Sequence, residues 1–585
     1  MTDRLIHRFD LVIKLESPFM TAGTEVTSIT VDTSLLRNHE GKLILPGSQV
    51  RGVYRDLFEK AKIEQYKDLF GTSSATLTDN SPNGDNPFAP NRRRLHFSDL
   101  ICTTDETNPL GTTTRIEINP ETGSVRKGAL QVIEMPFPYG AEVTFSGTIM
   151  LIGNDTEANS FLNNFNQFKD FVPAIGGAKT AGFGNILSIE LTKKAEKDQV
   201  DCTFETDAEQ VFMELTFNEP FLVNAKHIGT NVFEGSSVVP GSVIKGALAH
   251  QLTEQNKLSE ELGDALSKIR ISQALPTDSD QTTIPRAIAL SYFSDGEEIY
   301  DYFGNYQKWE SLCTKKVLSF ASDWKDKTWI AAAQKCNWPE PTELHSRTRT
   351  KIESDTYVAD EGNLFVHRAV SPGSLKWRFS ISRQNAEKKE FKQLVETLLS
   401  HPLWPIGKTS ASAVCKVCNH KEPNRSISPD EDGVWRITLQ SPANLIPISK
   451  AYDKELDIQN AYLEYWQNMI ALYHHDLRIV ENSFQVLSYE TLQGGYQSRR
   501  YPQIENKYSP YILTQPGTVF VIKLDGEEDH AQALFERLCS EGILPCGSDS
   551  FEDWARWQDT PYPRQNGFGE ITADWHDVAV LEVTD

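Results

Sequence analysis

The sequence predicts an α+β protein built from several similar units, and three observations support this prediction. The chain has 585 residues, 39% hydrophobic and 24% charged, a composition typical of globular proteins and not of disordered or fibrous ones. Stretches with strand-like alternation stand beside stretches with helical spacing of apolar residues. One pattern, a strand followed by a proline turn, a loop and a helix start, recurs along the chain. At roughly 150 residues per domain, the length allows three or four units.

Each unit begins with a strand that runs into a proline turn. Because proline has no backbone N–H for a strand ladder, each strand should end at its turn. The three starts are residues 9–18 (FDLVIKLESP), 211–220 (VFMELTFNEP) and 435–442 (WRITLQSP). They predict units over residues 1–195, 208–430 and 433–585, with the alternative that the last two form one unit.

The first two units continue with a Pro-Gly-Ser step before a helical pattern, at residues 46–48 and 240–242. Serine is a favourable helix cap, and the N–H groups of a helix start attract anions. A basic residue three positions after each serine favours this interpretation. The candidate anion-binding residues are Gly47, Ser48, Arg51, Ser242 and Lys245. Many α/β proteins carry such a step without a ligand, which is the alternative.

A glycine-rich loop closes each unit, at residues 176–184 (GGAKTAGFG), 406–413 (IGKTSASA) and 565–571 (QNGFGEI). Glycine lets a backbone approach a ligand closely, and phosphate is the candidate ligand. The glycine spacing differs from that of a nucleotide-binding P-loop. The candidate phosphate-binding residues are Gly177, Lys179, Thr180, Gly182 and Lys408.

Basic residues cluster on predicted β-hairpins. Residues 119–123 (NPETG) form a turn between alternating flanks in the first unit, and residues 348–352 (TRTKI) occupy the corresponding place in the second. An Arg-Arg pair in the third unit would suit phosphate. The basic candidates are Arg115, Arg126, Lys127, Arg347, Arg349, Lys351, Arg499 and Arg500. A hairpin that faces only solvent would have a similar sequence.

The net charge argues at first against a nucleic-acid partner, because a phosphate backbone attracts positive surface. The chain has 58 Lys and Arg against 81 Asp and Glu, which leaves a net charge of −23. The basic clusters are nevertheless separate from acidic stretches such as residues 201–219 and 525–530. A local positive surface is therefore compatible with the negative total.

Taken in order, these motifs resemble the RAMP (repeat-associated mysterious protein) superfamily, specifically the guide-RNA-binding backbone subunit of type III CRISPR effector complexes. Residues 1–195 contain the strand, the Pro-Gly-Ser helix, residues 69–71 (LFG), residues 94–99 (RLHFSD), the Thr-Arg hairpin and the glycine-rich loop. Residues 490–496 (ETLQGGY) and 515–520 (QPGTVF) are similar to the large subunit of type III-D systems.

The resemblance implies tandem ferredoxin-like (RRM-type) modules in which the hairpin is a thumb that kinks a guide–target duplex. It implies guide RNA, target RNA and other effector-complex subunits as partners, and a divalent metal such as Mg²⁺ for cleavage. Met135 or Ile133, beside the first hairpin, would insert at the kink, or would belong to the hairpin core instead.

The family's catalytic carboxylate lies in the loop before the Pro-Gly-Ser helix, and the matching residue is Asp32. A carboxylate there would position a metal or assist attack of a ribose 2′-OH on its phosphate, which predicts an endoribonuclease. Asp32 could instead cap the turn at residues 33–34. The second unit offers only Glu234, so its site is expected to be inactive or weak. The alternative for the whole chain is a non-catalytic scaffold that binds guide RNA.

Cysteines suggest one further site. Cys415 and Cys418 form a C-x-x-C pair followed by His420, which supplies at most three zinc ligands, so structural zinc stays open. Eight cysteines are too few for a disulfide framework in 585 residues. No apolar run approaches the roughly 18–20 residues of a membrane helix, and residues 1–9 lack the apolar core of a secretory signal. The sequence predicts a cytoplasmic protein without a membrane partner.

Overall fold

The computed structural model of the chain describes residues 4–23, 31–64, 66–71, 93–194, 208–224, 226–229, 231–295, 297–304, 310–311, 313, 327–352, 359–419, 427–451, 457–493, 510–551, 562–574 and 581–582. Three α+β modules follow one another along the chain, each with its own apolar core.

Module one is a six-stranded antiparallel sheet of order β2-β4-β7-β1-β8, with β3 also paired to β7. The first strand pairs with β7 along its whole length and with β8 on its other side. A separate hairpin, β5–β6, is called the first thumb. The elements are β1 (Leu5–Glu16), β2 (Ile44–Leu45), α1 (Gly47–Lys60), α2 (Tyr66–Phe70), β3 (Leu95–Phe97), β4 (Leu100–Cys102), β5 (Thr112–Ile118), β6 (Val125–Glu134), β7 (Glu142–Gly153), α3 (Asp155–Phe168) and β8 (Ile186–Lys193).

The core of module one follows from two periodicities. Alternate residues of β1 from Phe9 to Leu15 are buried, as a strand with one covered face requires. Helix α1 buries every fourth residue, and its Tyr54 stacks on Phe165 of α3 with ring centroids 3.7 Å apart. Helix α3 starts with a capping box between Asn154 and Glu157, which fixes where the helix begins.

Module two repeats this arrangement in a six-stranded sheet of order β12-β18-β9-β20-β19, with β13 paired to β18. Its hairpin β16–β17, called the second thumb, joins β10 and β11 in a four-stranded sheet. The elements are β9 (Gln210–Phe217), β10 (Lys226–Gly229), β11 (Val232–Glu234), α4 (Gly241–Glu254), α5 (Glu260–Lys268), β12 (Arg270–Ile271), β13 (Leu275–Thr277), β14 (Tyr292–Ser294), β15 (Glu298–Asp301), α6 (Lys327–Lys335), β16 (Leu344–Ile352), β17 (Ala359–Val370), β18 (Lys376–Ser382), α7 (Lys388–Ser400), β19 (Leu403–Ile406) and β20 (Ala411–Val417).

Module three has a five-stranded sheet of order β22-β26-β21-β27, with β23 paired to β26, and a small hairpin β24–β25. The elements are β21 (Val434–Leu439), α8 (Ile448–Ala451), α9 (Ile458–Tyr473), β22 (Arg478–Ile479), β23 (Gln485–Leu487), β24 (Glu490–Gln493), β25 (Tyr511–Thr514), β26 (Val519–Asp525), α10 (Glu528–Glu541), β27 (Ile571–Ala573) and β28 (Leu581–Glu582).

The three sheets share one topology. In each, the first strand (β1, β9 or β21) lies between a long antiparallel partner (β7, β18 or β26) and a later strand (β8, β20 or β27), and helical segments precede both of these flanking strands. This β-α-β-β-α-β order confirms the predicted ferredoxin-like modules. Strands β14 and β15 and helix α6 depart from the repeat: they pack on β26 of module three through Tyr292, Ile299 and Trp329. The second and third modules are therefore joined by a shared apolar cluster.

Both Pro-Gly-Ser helices begin two residues earlier than a serine cap requires. Pro46 and Pro240 occupy the N-cap positions, and neither makes a side-chain cap hydrogen bond. The prediction that Ser48 and Ser242 cap these helices is therefore wrong. Within the ranges described above, no helix is both long and apolar enough to cross a lipid bilayer.

Candidate nucleic-acid interface

The loop between β1 and α1 is fastened to the base of the first thumb. The Asp32 N–H donates to the carbonyl oxygen of Val132 at 2.9 Å, and the Val132 N–H donates back to Asp32 Oδ2 at 2.7 Å. Gln131 Nε2 donates to Thr33 Oγ1 at 2.9 Å. The Asp32 side chain is exposed. The Asp32 carboxylate accepts its hydrogen bond from the thumb strand and not from residues 33–34, so Asp32 does not cap its own turn. It is an exposed carboxylate that the thumb strand fixes in position.

The first thumb projects from the sheet and exposes both apolar and basic side chains. Arg126 pairs with Glu117 at 2.8 Å, while Lys127 is exposed. Its apolar side chains are half or more exposed, and such a set marks an interaction surface. They are Ile116, Ile118, Val125 and Leu130.

The apolar residues predicted to insert at a kink lie deeper. Ile133 is fully buried and Met135 is half-buried. Ile133 therefore belongs to the hairpin core, and the exposed apolar residues nearer the thumb tip are better placed to contact a ligand.

The glycine-rich loop of module one lies beside this thumb. The Gly177 N–H donates to the Met20 carbonyl oxygen at 2.7 Å, which ties the loop to the β1–α1 connection. The Arg115 guanidinium lies 5.6 Å from the centroid of the Phe183 ring, which ties the loop to the thumb. Lys179 and Thr180 are exposed on a 3₁₀ turn that ends at Gly182, where φ is +80°. Loop, thumb and Asp32 thus share one face, called the module-one face.

Two glycines of this loop are required by chain packing and not by a ligand. A Cβ on Gly184 would lie 2.0 Å from the Ile175 carbonyl oxygen, and one on Gly176 would lie 2.7 Å from that of Met20. Gly182, by contrast, has open space around it. Of the predicted loop residues, Lys179, Thr180 and Gly182 remain accessible.

The first Pro-Gly-Ser step is not an anion site. The Gly47 N–H donates to Asp99 Oδ1 at 3.1 Å, and a Cβ on Gly47 would lie 2.2 Å from the Ser98 carbonyl oxygen. Asp99 Oδ2 in turn accepts from Arg347 Nη2 of the second thumb at 2.5 Å. Burial alone would raise the pKa of Asp99, but Arg347, the Gly47 N–H and Arg349 hold that pKa below its ordinary value. A protein carboxylate already occupies the place predicted for phosphate.

The predictions for Gly47, Ser48 and Arg347 as RNA-binding residues are therefore corrected. Gly47 is buried, Ser48 is half-buried beside it, and Arg347 is 13% exposed in an ion pair. Burial also lowers the pKa of Arg349, which lies beside Arg347. The ion pair of Arg347 with Asp99 joins module two to module one. Arg51 is half-buried on α1, and the Lys351 side chain lies outside the described residues.

Protein groups also occupy the second Pro-Gly-Ser step, where the anion was predicted. Lys245 Nζ donates to the Ile269 carbonyl oxygen at 2.8 Å, and burial lowers the pKa of Lys245 to about 7. A Cβ on Gly241 would lie 2.8 Å from the Asn566 carbonyl oxygen of module three. Lys245 is therefore a half-buried structural residue whose ammonium group is bound by a backbone carbonyl, and Ser242 beside this step is half-buried as well. The prediction of an anion site is wrong for both steps.

The two module junctions repeat one contact. His96 of β3 lies 3.0 Å from Glu219 of module two, between His96 Nε2 and Glu219 Oε1. Arg270, at the corresponding edge strand β12, donates to Glu570 of module three at 3.1 Å, between Nη2 and Oε1. Trp404 of module two adds an apolar contact to the sheet of module one. Both junctions therefore pair a side chain on a corresponding strand of the earlier module with a glutamate of the next module.

The other two glycine-rich loops are less accessible to a ligand than the first. In module three, Arg564, Gln565 and Asn566 are buried, and Arg564 Nη1 donates to Glu541 Oε2 at 2.8 Å. In module two, Lys408 is exposed, and its Nζ lies 4.0 Å from the centroid of the Phe233 ring. The loop of module one is the most open of the three.

Module two has no free carboxylate at the place of Asp32 among the residues described there. Glu234 forms an ion pair with Arg368 of the second thumb. An inactive or weak second site stays a prediction. Arg499 and Arg500 lie outside the described residues.

The cysteine pair does not fit a zinc site. Cys415 is 3% exposed in the apolar core of module two. Burial raises the pKa of the Cys418 thiol, which opposes the thiolate that zinc requires. His420 lies outside the described residues, and the described ones bring no third ligand to this pair. Cys415 is instead a core residue of strand β20.

Comparison with known proteins identifies the family. A model of the RAMP superfamily matches residues 12–187 and 224–407. A chain of the type III-B Cmr-beta complex bound to cognate target RNA is 13% identical, with a TM-score of 0.24, over 32% of this chain and 61% of that one. Another, from that complex with AMPPnP, is 12% identical, with a TM-score of 0.31, over 57% and 90%.

A chain of a type IV-B CRISPR complex is 16% identical, with a TM-score of 0.24, over 34% of this chain and 95% of that one. No curated protein matches the sequence significantly. The superfamily model covers both repeats over more than half of the 585 residues. The chain belongs to the RAMP superfamily.

Proposed function

We propose that this chain is a guide-RNA-binding subunit of a type III CRISPR effector complex, and that module one cleaves target RNA with Asp32 as the catalytic carboxylate. The observation that carries the proposal is the module-one face, where the held Asp32 carboxylate, the exposed thumb and the open glycine-rich loop meet. Superfamily membership supports the class of protein.

Charge and exposure suit this face to RNA. Arg115, Lys127 and Lys179 make no ion pair with any residue that the structure describes, so their charges are available to phosphates. The exposed apolar side chains of the first thumb can contact bases that leave the stack. The net charge of −23 is then carried by other surfaces, where it repels RNA that binds without specificity.

The chemistry proposed for Asp32 is general base catalysis. Oδ2 is held by the Val132 N–H and the residue is exposed, so the second carboxylate oxygen, Oδ1, would accept the proton of a ribose 2′-OH. The 2′ oxygen forms a bond to the adjacent phosphorus as the bond from phosphorus to the 5′ oxygen breaks, and that oxygen takes a proton from water. The products carry a 2′,3′-cyclic phosphate and a 5′-OH. A kink in the duplex supplies the in-line geometry.

A divalent metal such as Mg²⁺ fits this site only in part. Glu134, at the same thumb base, accepts from the Leu35 N–H at 2.7 Å and pairs with Arg37, so it is not free to bind a cation. Asp32 would supply one oxygen, and RNA phosphates and water would complete the shell. Such an ion would neutralise charge on the phosphate, while the proton transfer at Asp32 needs no second protein carboxylate.

The test is the assembled complex carrying Asp32→Asn, with an end-labelled complementary target. The amide keeps an acceptor for the Val132 N–H but loses the base, so one set of cleavage products should disappear while guide RNA still copurifies. Glu234→Gln is the matched control and should leave every product in place. Unchanged cleavage in Asp32→Asn would favour the alternative, a scaffold that binds guide RNA. Absence of copurified RNA would refute both.

A further inference from the structure

Three histidines of module three gather where α9 ends and α10 begins. His474 directly follows α9, His475 and Asp476 come next, and His530 lies in the first turn of α10. The ring centroid of His474 lies 5.2 Å from that of His475 and 4.1 Å from that of His530. This group of imidazoles, with Asp476 beside it, lies far along the chain from the residues of the module-one face.

The nitrogen and oxygen atoms of this group lie at metal-ligand spacing. One ligand atom from each of His474, His475 and Asp476 lies within 4.8 Å of the others. His475 Nε2 is 3.2 Å from Asp476 Oδ1, and His474 Nδ1 is 3.9 Å from Asp476 Oδ2. Ligands about 2.0–2.1 Å from a tetrahedral ion are about 3.4 Å from one another. Small rotations of the half-buried His474 and of the exposed His475 and Asp476 would therefore bring all three ligand atoms into place.

We propose that His474, His475 and Asp476 bind a divalent transition-metal ion of the Zn²⁺ class, with the fourth position left to water. Two imidazoles and one carboxylate suit Zn²⁺ and disfavour Mg²⁺ and Ca²⁺, which prefer oxygen ligands. The group is the one set of three such ligands that the described residues contain. This proposal is independent of the proposed RNA function.

His530 acts as a positioning residue for this site. Its ring packs on that of His474 at an interplanar angle of 32°, which limits rotation of the ligand ring, and its Nε2 lies 3.7 Å from Glu527 Oε2. Its Nδ1 is buried and has no hydrogen-bond partner in the described part of the chain. A bound ion would therefore link the end of α9 to the start of α10 through the contact between the His474 and His530 rings. Metal binding to the folded state should stabilise this junction.

The experiment uses the full chain without a histidine tag, freed of metal by dialysis against a chelator and titrated with Zn²⁺ by calorimetry. One saturable equivalent is expected in the wild type, and the variant His474→Asn/His475→Asn should lose it. His530→Ala should weaken binding roughly 10- to 100-fold, the usual effect of removing a group that orients a ligand. His39→Asn, which changes an exposed histidine of module one, is the matched control.

Two further readouts separate this site from others. Cys418→Ser should leave the equivalent unchanged, which excludes the cysteine pair as its source. The visible spectrum of bound Co²⁺ should show tetrahedral coordination by nitrogen and oxygen, and circular dichroism should show that each variant is folded. A folded double variant that binds the same equivalent with the same affinity would overturn the proposal, as would a wild type that does not saturate.

Discussion

The ion pair between Asp99 and Arg347 gives a prediction that separates a structural arginine from an RNA-binding one. Asp99→Asn keeps an acceptor for the Gly47 N–H but leaves Arg347 without its carboxylate. Arg347→Met removes the charge from the other side. If Arg347 joins the modules, both changes should weaken the junction and neither should alter the RNA contacts of the module-one face.

The size of the effect follows from burial. The side chains of Asp99 and Arg347 are 14% and 13% exposed, so water screens the pair little. Breaking a buried pair by removing one partner costs about 3–5 kcal/mol, and the small remaining exposure favours the lower end, about 3 kcal/mol. At 1.4 kcal/mol per factor of ten, opening of the junction should become roughly a hundredfold more frequent.

The assay is urea unfolding followed by native-state hydrogen exchange, because a chain of three modules need not unfold in one step. The earliest transition should move to lower urea, and exchange should rise at residues 95–102 and 344–350. The double variant Asp99→Asn/Arg347→Met should recover part of the loss, since the two residues are coupled. A stable Arg347→Met variant that binds guide RNA more weakly would refute this assignment and restore Arg347 to the RNA surface.

Three other predictions test the remaining assignments. Asp32→Asn should slow target cleavage by module one roughly 100- to 10,000-fold in a single-turnover assay, the range for loss of a general base. Lys179→Glu should weaken guide binding and reduce the slope of affinity against salt by about one or more, whereas Lys389→Glu on α7 should change neither. Lys245 has a pKa of about 7 in the folded protein and near 10.4 in the unfolded chain. Between about pH 7 and pH 10.4 the unfolded chain therefore binds more protons than the folded protein, and the free energy of unfolding should rise with pH. Lys245→Met should remove that rise in thermal unfolding measured at about pH 7 and pH 9.

The fold followed from local patterns because its main features are local. The alternation of residues 9–15 and the helical spacing from Val50 to Phe58 place their apolar faces without reference to the rest of the chain. The repeated proline turns and glycine-rich loops then gave the tandem organisation that the sheets confirm. Lys179 and Thr180 are exposed, and their role as RNA-binding residues stays a prediction.

The corrected residues depend on contacts between modules, which no local pattern encodes. Arg347 forms an ion pair with Asp99, which lies 248 residues earlier in the sequence. The Asn566 carbonyl oxygen lies against the helix start at Gly241 although it belongs to another module. A basic residue near a helix start has the same sequence whether it meets RNA or a carboxylate. One signal was available for Asp99: an acidic residue next to a buried strand needs a cationic partner. Nothing comparable marked Val132 as the partner of Asp32.

The repeated junction has a consequence for how such a protein is assembled. Each junction contains single side-chain contacts such as those of His96 with Glu219 and of Arg270 with Glu570. If the modules were separate subunits, such contacts would form only at high protein concentration. On one polypeptide the neighbouring module is present at an effective concentration in the millimolar range for a short linker. Order and copy number are then fixed by translation and not by affinity, so each thumb occupies a single defined position along the protein.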